Sequence, residues 1–481
     1  MNTLVAPPSA SDPSEAAKRL LPWLVAVAFF MESLDTTILN TAVPAISSAL
    51  GVAPLSMKAV LASYTLSLAV FIPISGWMAD RFGTRRVFAA AIGLFTLGSF
   101  LCGISGNIHL LIACRVLQGC GGAMMVPVGR LTLVRTFAKS DLLRTMSFVS
   151  IPALVAPMLG PIAGGLIVGY LHWRFIFFLN IPIGLAGLIL VYLHLPDYRA
   201  DKTHPLDVVG LILFGSGIAL LSYVLEIFGE HALSAGEMSG LLVLSFVLLA
   251  GYALHARTLS FPLLQLKLFG IRTFRAAVSG SFFTRLGIGG VPFLLPLLYQ
   301  VGLGFTPIES GLLVMPQAMA AMSMKTLMPG LLRRVGYRGV LISNTVILGV
   351  LLMAFATIGL HTPVWVIVLQ AFLYGAFTSL QYTSMSTLVF ADIEKEDTSS
   401  ASSIASTMQQ MSISFGVAAA GLATALFVPS NQSNPLEMIH GIHEALIALG
   451  ILTIVSTIVF RSLKKGDGDD VSQHAELHPT P

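Results

Sequence analysis

From Leu20 to Arg461 the chain is a succession of apolar runs of about 20 residues, parted by short clusters of charged residues, Gly or Pro. A helical run of that length matches the hydrocarbon thickness of a bilayer, where the backbone must satisfy its own hydrogen bonds. Fourteen such spans are predicted. The first seven lie at 20–45, 57–79, 87–106, 109–129, 145–170, 174–195 and 206–227. The other seven lie at 238–256, 274–301, 307–331, 339–360, 363–389, 400–428 and 439–461. With 55% hydrophobic and 10% charged residues, the chain falls outside the composition of soluble domains. The expected class is an all-α integral membrane protein.

Charge tests that enumeration, because Lys and Arg concentrate in cytoplasmic loops. Of the 27 Lys and Arg residues, Lys58 and Arg174 fall on one face, and Arg115, Arg285 and Lys325 fall inside spans; the rest collect on the other face. A miscount by one span would scramble this alternation, so it predicts fourteen helices with both termini cytoplasmic. The net charge of +4 follows from this topology, and no basic patch interleaved with aromatics points to nucleic acid. Cys102, Cys114 and Cys120 lie in apolar segments without metal-ligand spacing and read as packed thiols. The first residues lack the order of a secretory signal and read, like the last ones, as a short polar tail.

An internal repeat emerges from two loops. "GWMADRFGTRR" (Gly76 to Arg86) follows the second span and "LLRRVGYRG" (Leu331 to Gly339) follows the tenth, so that Arg81, Gly83 and Arg85 correspond to Arg334, Gly336 and Arg338. An offset of eight spans fits six-helix repeats separated by two extra helices. The predicted division is a tail at 1–19, a six-helix bundle at 20–195, a linker with two inserted helices at 196–273, a second bundle at 274–461 and a tail at 462–481. Gly76 would let another helix approach closely, Asp80 would pair with a basic group or a helix N-terminus, and Gly83 would permit a tight turn. With Arg81, Arg85 and Arg86 they read as a cytoplasmic gate; the plainer alternative is that the arginines only set topology.

The chemistry inside the membrane is concentrated near the start. Glu32 and Asp35 stand in the first span, where a carboxylate is expensive and usually faces a cavity, a partner or an ion pathway. At ~1.5 Å per residue, Asp35 and Arg115 of the antiparallel fourth span come to nearly the same depth, with Glu32 one turn away on the same face. Burial favours the neutral acid and a nearby Arg favours the anion, so this group reads as a proton switch; a permanent structural ion pair is the alternative. Arg285 falls near midplane in the ninth span, while Asn40, Gln118, Gln300, Gln409 and Gln410 are candidate substrate contacts or helix-joining amides. Lys325 lies close enough to a helix end to snorkel. Phe29 and Phe30 read as packing.

These motifs resemble those of the major facilitator superfamily. "GWMADRFGTRR" is similar to its loop signature, and "LDTTILNTAVP" (Leu34 to Pro44) to the first-helix signature of the fourteen-helix drug:proton antiporter branch. "RVLQGCGGAMMVPVGR" (Arg115 to Arg130) resembles the fourth-helix motif, and "WRFIFFLNIPIG" (Trp173 to Gly184) the entry to helix six. "APMLGPIAGGL", with Pro157, Gly160, Pro161, Gly164 and Gly165, resembles the fifth-helix antiporter motif. Two departures are Ala156, where that motif often has Gly, and Arg333 in the second loop where the first has Asp80. The resemblance implies two six-helix bundles plus two inserted helices around a cavity. It implies a monomeric multidrug exporter in a bacterial inner membrane that exchanges amphiphilic or cationic small molecules for protons, with no other cofactor. A dedicated transporter of one metabolite, such as an amino acid or siderophore, is the alternative. No catalytic constellation suggests an enzyme, and no Walker-type "GKS" or "GKT" suggests an ATP-driven pump.

Overall fold

The structure, a computed structural model, describes residues 15–137, 139–200, 203–227, 234–394, 397–427, 435–464 and 466–468. Most of the two predicted tails, with Lys202, Lys395 and Lys465, therefore lies outside the described residues. Every regular element among the described residues is helical. The first half comprises α1 (Glu15–Leu50), α2 (Lys58–Phe82), α3 (Thr84–Ile104), α4 (Ile108–Thr136), α5 (Lys139–Tyr170), a short α6 (Phe175–Phe178) and α7 (Asn180–His194). Next come α8 (Val208–Ile227) and α9 (Ala235–Thr258). The second half runs through α10 (Arg272–Ile288), α11 (Val291–Leu297), α12 (Pro307–Ala354), α13 (Val364–Leu388), α14 (Thr398–Phe427) and α15 (Pro435–Phe460).

Among the described residues, 12 stretches are long and apolar enough to cross a membrane. The difference from fourteen has two local origins. The stretch Pro307–Thr357 is 51 residues long, and Gly336 inside it has φ 73°, a left-handed backbone that interrupts the helix. In α5, a continuous helix over Lys139–Tyr170, the apolar stretch Val155–Tyr170 among the described residues is shorter than a span. Gly83 between α2 and α3 has φ 95°, so the two repeated loops share a left-handed glycine as well as a sequence pattern. Other helix starts follow from local chemistry. The Asn107 side chain accepts from Leu110 N, and capping boxes of Ser234 with Glu237 and Thr306 with Glu309 open α9 and α12.

Within the first half α1 packs on α5, and α4 packs on α2 and α3; within the second, α12 packs on α13 and α15, and α10 on α14 and α15. Helices α8 and α9 pair with each other, and α8 also touches α2 and α14. The halves meet where α2 lies on α14 and α5 on α12. One core cluster belongs to the first half, around Phe29, Phe88, Phe95 and Met125, and another to the second half and α8, around Phe274, Leu341, Leu380 and Phe415. A third joins both halves through Ile38, Val43, Val60, Trp173, Phe293, Leu294 and Tyr299. It lies at the end away from the 80–86 loop. The chain is thus sealed at that end and parted at the loop end, which positions the cavity.

Candidate functional site

The buried polar centre of the first half is built around Asp35, which is 2% exposed. Arg115 Nη1 on α4 donates to Asp35 Oδ2 at 2.5 Å and to Gln118 Oε1 at 2.8 Å. Gln118 Nε2 donates to Asp35 Oδ1 at 2.8 Å, and Asn180 Nδ2 on α7 reaches the same oxygen at 3.2 Å. Asn180 also donates to Ser99 Oγ at 3.0 Å, whose hydroxyl donates to Phe177 O at 2.8 Å. The Arg115 guanidinium lies 4.2 Å from the centroid of the Tyr64 ring. Three donors thus converge on one carboxylate, tying α1, α4 and α7 together in a buried interior. This is the arrangement in which removal of one partner strands a buried charge.

Glu32, one turn away, faces a different environment. It lines a cavity of about 1100 Å³ between the halves, together with Phe29, Ser33, Gly76, Asp80 and Arg130 on one side and Ser281, Ser402, Ser406, Gln409 and Gln410 on the other. Glu32 and Asp35 stay close enough to act on each other and on Tyr64 through space, but they face different ways: three residues on a helix leave a turn of ~60° between them. That rotation suffices to face one acid to the cavity and the other to α4. Of the candidate substrate contacts, Gln409 and Gln410 lie on the cavity wall, and Asn40, Gln118, Gln300 and Arg285 do not. Gln118 is fully buried in the Asp35 network. Asn40 is partly buried and off the wall. Arg285, 4% exposed, donates from Nε to Ser281 Oγ at 3.1 Å and stacks 3.4 Å from the Tyr382 ring centroid, behind the wall that Ser281 forms.

The fifth-helix glycines make the contacts that a flat face permits. A Cβ at Gly160 would collide with Thr37, and one at Gly164 with Ile38 and Thr41, so α5 rests directly on α1. At Gly165 a Cβ would come to 2.5 Å from Pro307 O, carrying the same face across to α12. Thr41 Oγ1 donates to Pro161 O at 3.2 Å, its own carbonyl accepts from Gln300 Nε2 at 2.9 Å, and Ser414 Oγ on α14 donates to Ala62 O on α2 at 3.1 Å. Pro157 lies inside the same continuous helix one turn nearer the loop end, where it leaves one backbone hydrogen bond unmade. Between helices in lipid, such close packing and hydrogen bonding replace the hydrophobic effect as the source of adhesion.

At the loop end Asp80 pairs with Arg135 at 2.6 Å, a basic group that the sequence did not single out. The peptide after α7 closes over this loop. Ala200 N donates to Asp80 O, Arg85 N to Asp197 Oδ1, and Thr84 N to Tyr198 O, at 3.2, 3.2 and 3.0 Å. A Cβ at Gly83 would strike the Asp197 side chain, so this glycine is needed for space as well as for φ. Gly76 is a correction: it faces the cavity, with nothing within 4 Å of an added Cβ. Arg81 and Arg86 are exposed. The first residues beyond α15 are also tethered, since Asp467 Oδ2 accepts from Arg272 Nε at 2.9 Å and Asp467 Oδ1 from Arg272 Nη2 at 2.5 Å.

Sequence reasoning missed Asn180, Ser99, Tyr64, Arg130, Arg135 and Asp197. Asn180 had a signal, an amide inside the otherwise apolar "FIFFLNIPIG", which in hydrocarbon demands a partner. Arg130 reads in the sequence as one of the basic residues of the cytoplasmic face.

The comparisons with known proteins agree with this architecture. The profile of the Major Facilitator Superfamily matches residues 25–417 and, a second time, 277–474. A protein of Serratia proteamaculans (strain 568), provisionally named multidrug resistance protein MdtD, is 42% identical over 418 residues, which are 87% of each chain. Its namesake in Escherichia coli O7:K1 (strain IAI39 / ExPEC) is 43% identical over 84% of this chain and 86% of its own. Among solved structures, the POT family transporter PepTSo superposes with a TM-score of 0.69 at 14% identity, covering 95% of this chain and 98% of its own. A D-xylose-proton symporter superposes with a TM-score of 0.67 at 13% identity, covering 94% and 99%. At such identities the structural matches speak for the fold alone. With its profile matched across most of its length, this chain belongs to the Major Facilitator Superfamily, a multi-pass membrane transporter rather than an enzyme.

Proposed function

We propose that the protein is a multidrug efflux transporter that exchanges cargo for protons by alternating access. The single observation that carries this reading is the neighbourhood of Glu32 and Asp35: an acid on the wall of an open cavity, one helical turn from an acid locked to Arg115. Cargo and proton compete at Glu32, while the Asp35 network joins three helices that must move as the cavity changes sides. A proton on Asp35 loosens its hold on Arg115, and the helices it joins are freed to repack; its loss restores the pair. Binding one ligand at the expense of the other is the thermodynamic basis of exchange. The relatives named for multidrug resistance support export as the direction.

The same reading includes fourteen spans, counting α5 and splitting α12 at Gly336. The bundles are 20–195 and 274–461, the inserted helices lie in 196–273, and both termini are cytoplasmic in a bacterial inner membrane. The second profile match, beginning at residue 277, supports the repeat. The basic loop end is then cytoplasmic and the cavity faces inward. The chain acts as a monomer, with protons as coupling ion and no other cofactor. Purified protein in liposomes tests this reading: an imposed pH gradient drives ethidium against its concentration gradient, and collapse of the gradient stops it. Movement indifferent to the gradient contradicts the proton coupling.

A further inference from the structure

The efflux reading leaves the chemistry of the cargo open, and the cavity wall constrains it. Its charged carboxylate and guanidinium groups are Glu32, Asp80 and Arg130. Asp80 is paired with Arg135. The charged atoms of Glu32 and Arg130 have no ion-pair or hydrogen-bond partner among the described residues, although each acts on the other through space. Arg130 lies over the Phe29 ring at 5.4 Å, and Phe29 is one turn from Glu32 on α1. The two opposite charges therefore stand on one wall, separated on the order of 5–10 Å. Facing them, α14 presents Ser402, Ser406, Gln409 and Gln410, an uncharged row at helical spacing.

Much of the remaining wall is apolar, with Leu68, Ile72, Trp77, Val126 and Met408, which suits an amphiphilic body; the unpaired arginine beside Glu32 weakens, without abolishing, the binding of a cargo that carries only a positive charge. We infer that the cargo this cavity prefers is zwitterionic, its cationic group at Glu32, its anionic group at Arg130 and its body between the apolar wall and the polar row of α14. The inference rests on the efflux reading and narrows its substrate class. It also assigns Arg130 a role in specificity. When Glu32 is protonated, the site loses its hold on the cationic end of the cargo and keeps the anionic contact, so release accompanies proton uptake.

Norfloxacin, which carries both an amine and a carboxylate at neutral pH, its methyl ester, which keeps only the cation, and N-acetylnorfloxacin, which keeps only the anion, form the test. Binding of each to purified, monodisperse protein is measured by fluorescence anisotropy. The expected result is that norfloxacin binds about 10-fold more tightly than either derivative, the worth of one charge-assisted contact. Arg130→Gln should abolish its advantage over the ester alone, and Glu32→Gln its advantage over the N-acetyl compound alone, with thermal unfolding midpoints close to wild type. Equal binding of all three, tightest binding of the ester, or no binding of any overturns the inference. Gradient-driven ethidium transport by the same wild-type preparation keeps the failures apart: if it persists, the efflux reading stands and only the cargo class falls.

Discussion

Glu32 and Asp35 are three residues apart on α1 and occupy opposite environments: Glu32 lines the central cavity, and Asp35 is sealed against Arg115 at 2.5 Å with 1% side-chain exposure on both partners. The two acids are therefore separable by mutation. Loss of Glu32 removes a group from the cargo's path, whereas loss of Asp35 alters the contact between helices.

Removing one member of the buried pair should damage the fold more than removing both. Asp35→Asn leaves Arg115 uncompensated, and breaking such a pair costs about 3–5 kcal/mol. The thermal midpoint of purified protein should fall for Asp35→Asn and for Arg115→Gln, and rise again in the double variant. Additive losses in the double variant would show that the two side chains do not act as a pair.

The Asp80 to Arg135 contact is half open to solvent, with side-chain exposures of 36% and 28%, so it adds little to static stability. Asp80→Asn should leave yield and unfolding midpoint unchanged while reducing transport several-fold, and Arg135→Gln should match it. Full transport by both variants returns the loop to a topogenic role.

The α1 to α5 contact predicts steric failure. Gly164→Val places side-chain atoms where Ile38 and Thr41 already lie, and overpacking of this kind costs roughly 1–3 kcal/mol. A lowered unfolding midpoint, with Gly76→Ala as the tolerated control in open space, is the expected result. Equal tolerance of both substitutions contradicts the close approach.

Depth and periodicity were legible in the sequence, while azimuth and long-range partners were not. Helical rise alone brought Asp35 level with Arg115, because depth in a bilayer is a one-dimensional quantity. It could not tell that Glu32 turns to the cavity and Gln118 away from it, since that depends on the rotation each helix adopts against its neighbours. The Gly83 turn was readable because only glycine adopts its φ cheaply. The partner of Asp80 was not, because Arg135 is 55 residues away and was one of many basic residues at that face. Gly76 misled because a glycine beside a cavity and a glycine beneath a helix look alike in sequence.

The tether beyond α15 carries a pH signature. Burial alone pushes the Asp467 carboxyl up, but hydrogen bonds from Arg272 and Lys464 N, with the Arg272 and Lys464 charges, hold it below its usual 3.8. A depressed carboxyl contributes stability that is present above its unfolded value and is lost as pH falls through its folded value. Asp467→Asn should therefore narrow the stability difference from wild type as the pH is lowered below about 4. A difference that stays constant across that range would show that the pair contributes nothing through its charge.

The central claim is that two separable acids on α1 couple proton movement to cargo movement. It is tested most directly by proton-driven transport of ethidium in proteoliposomes containing wild type, Glu32→Gln or Asp35→Asn, each confirmed folded and monodisperse. The account predicts that both acid-to-amide variants lose uphill, gradient-driven accumulation while retaining downhill exchange, because alternating access no longer requires the proton step. Undiminished uphill transport in both variants would contradict it and remove these acids from the coupling mechanism.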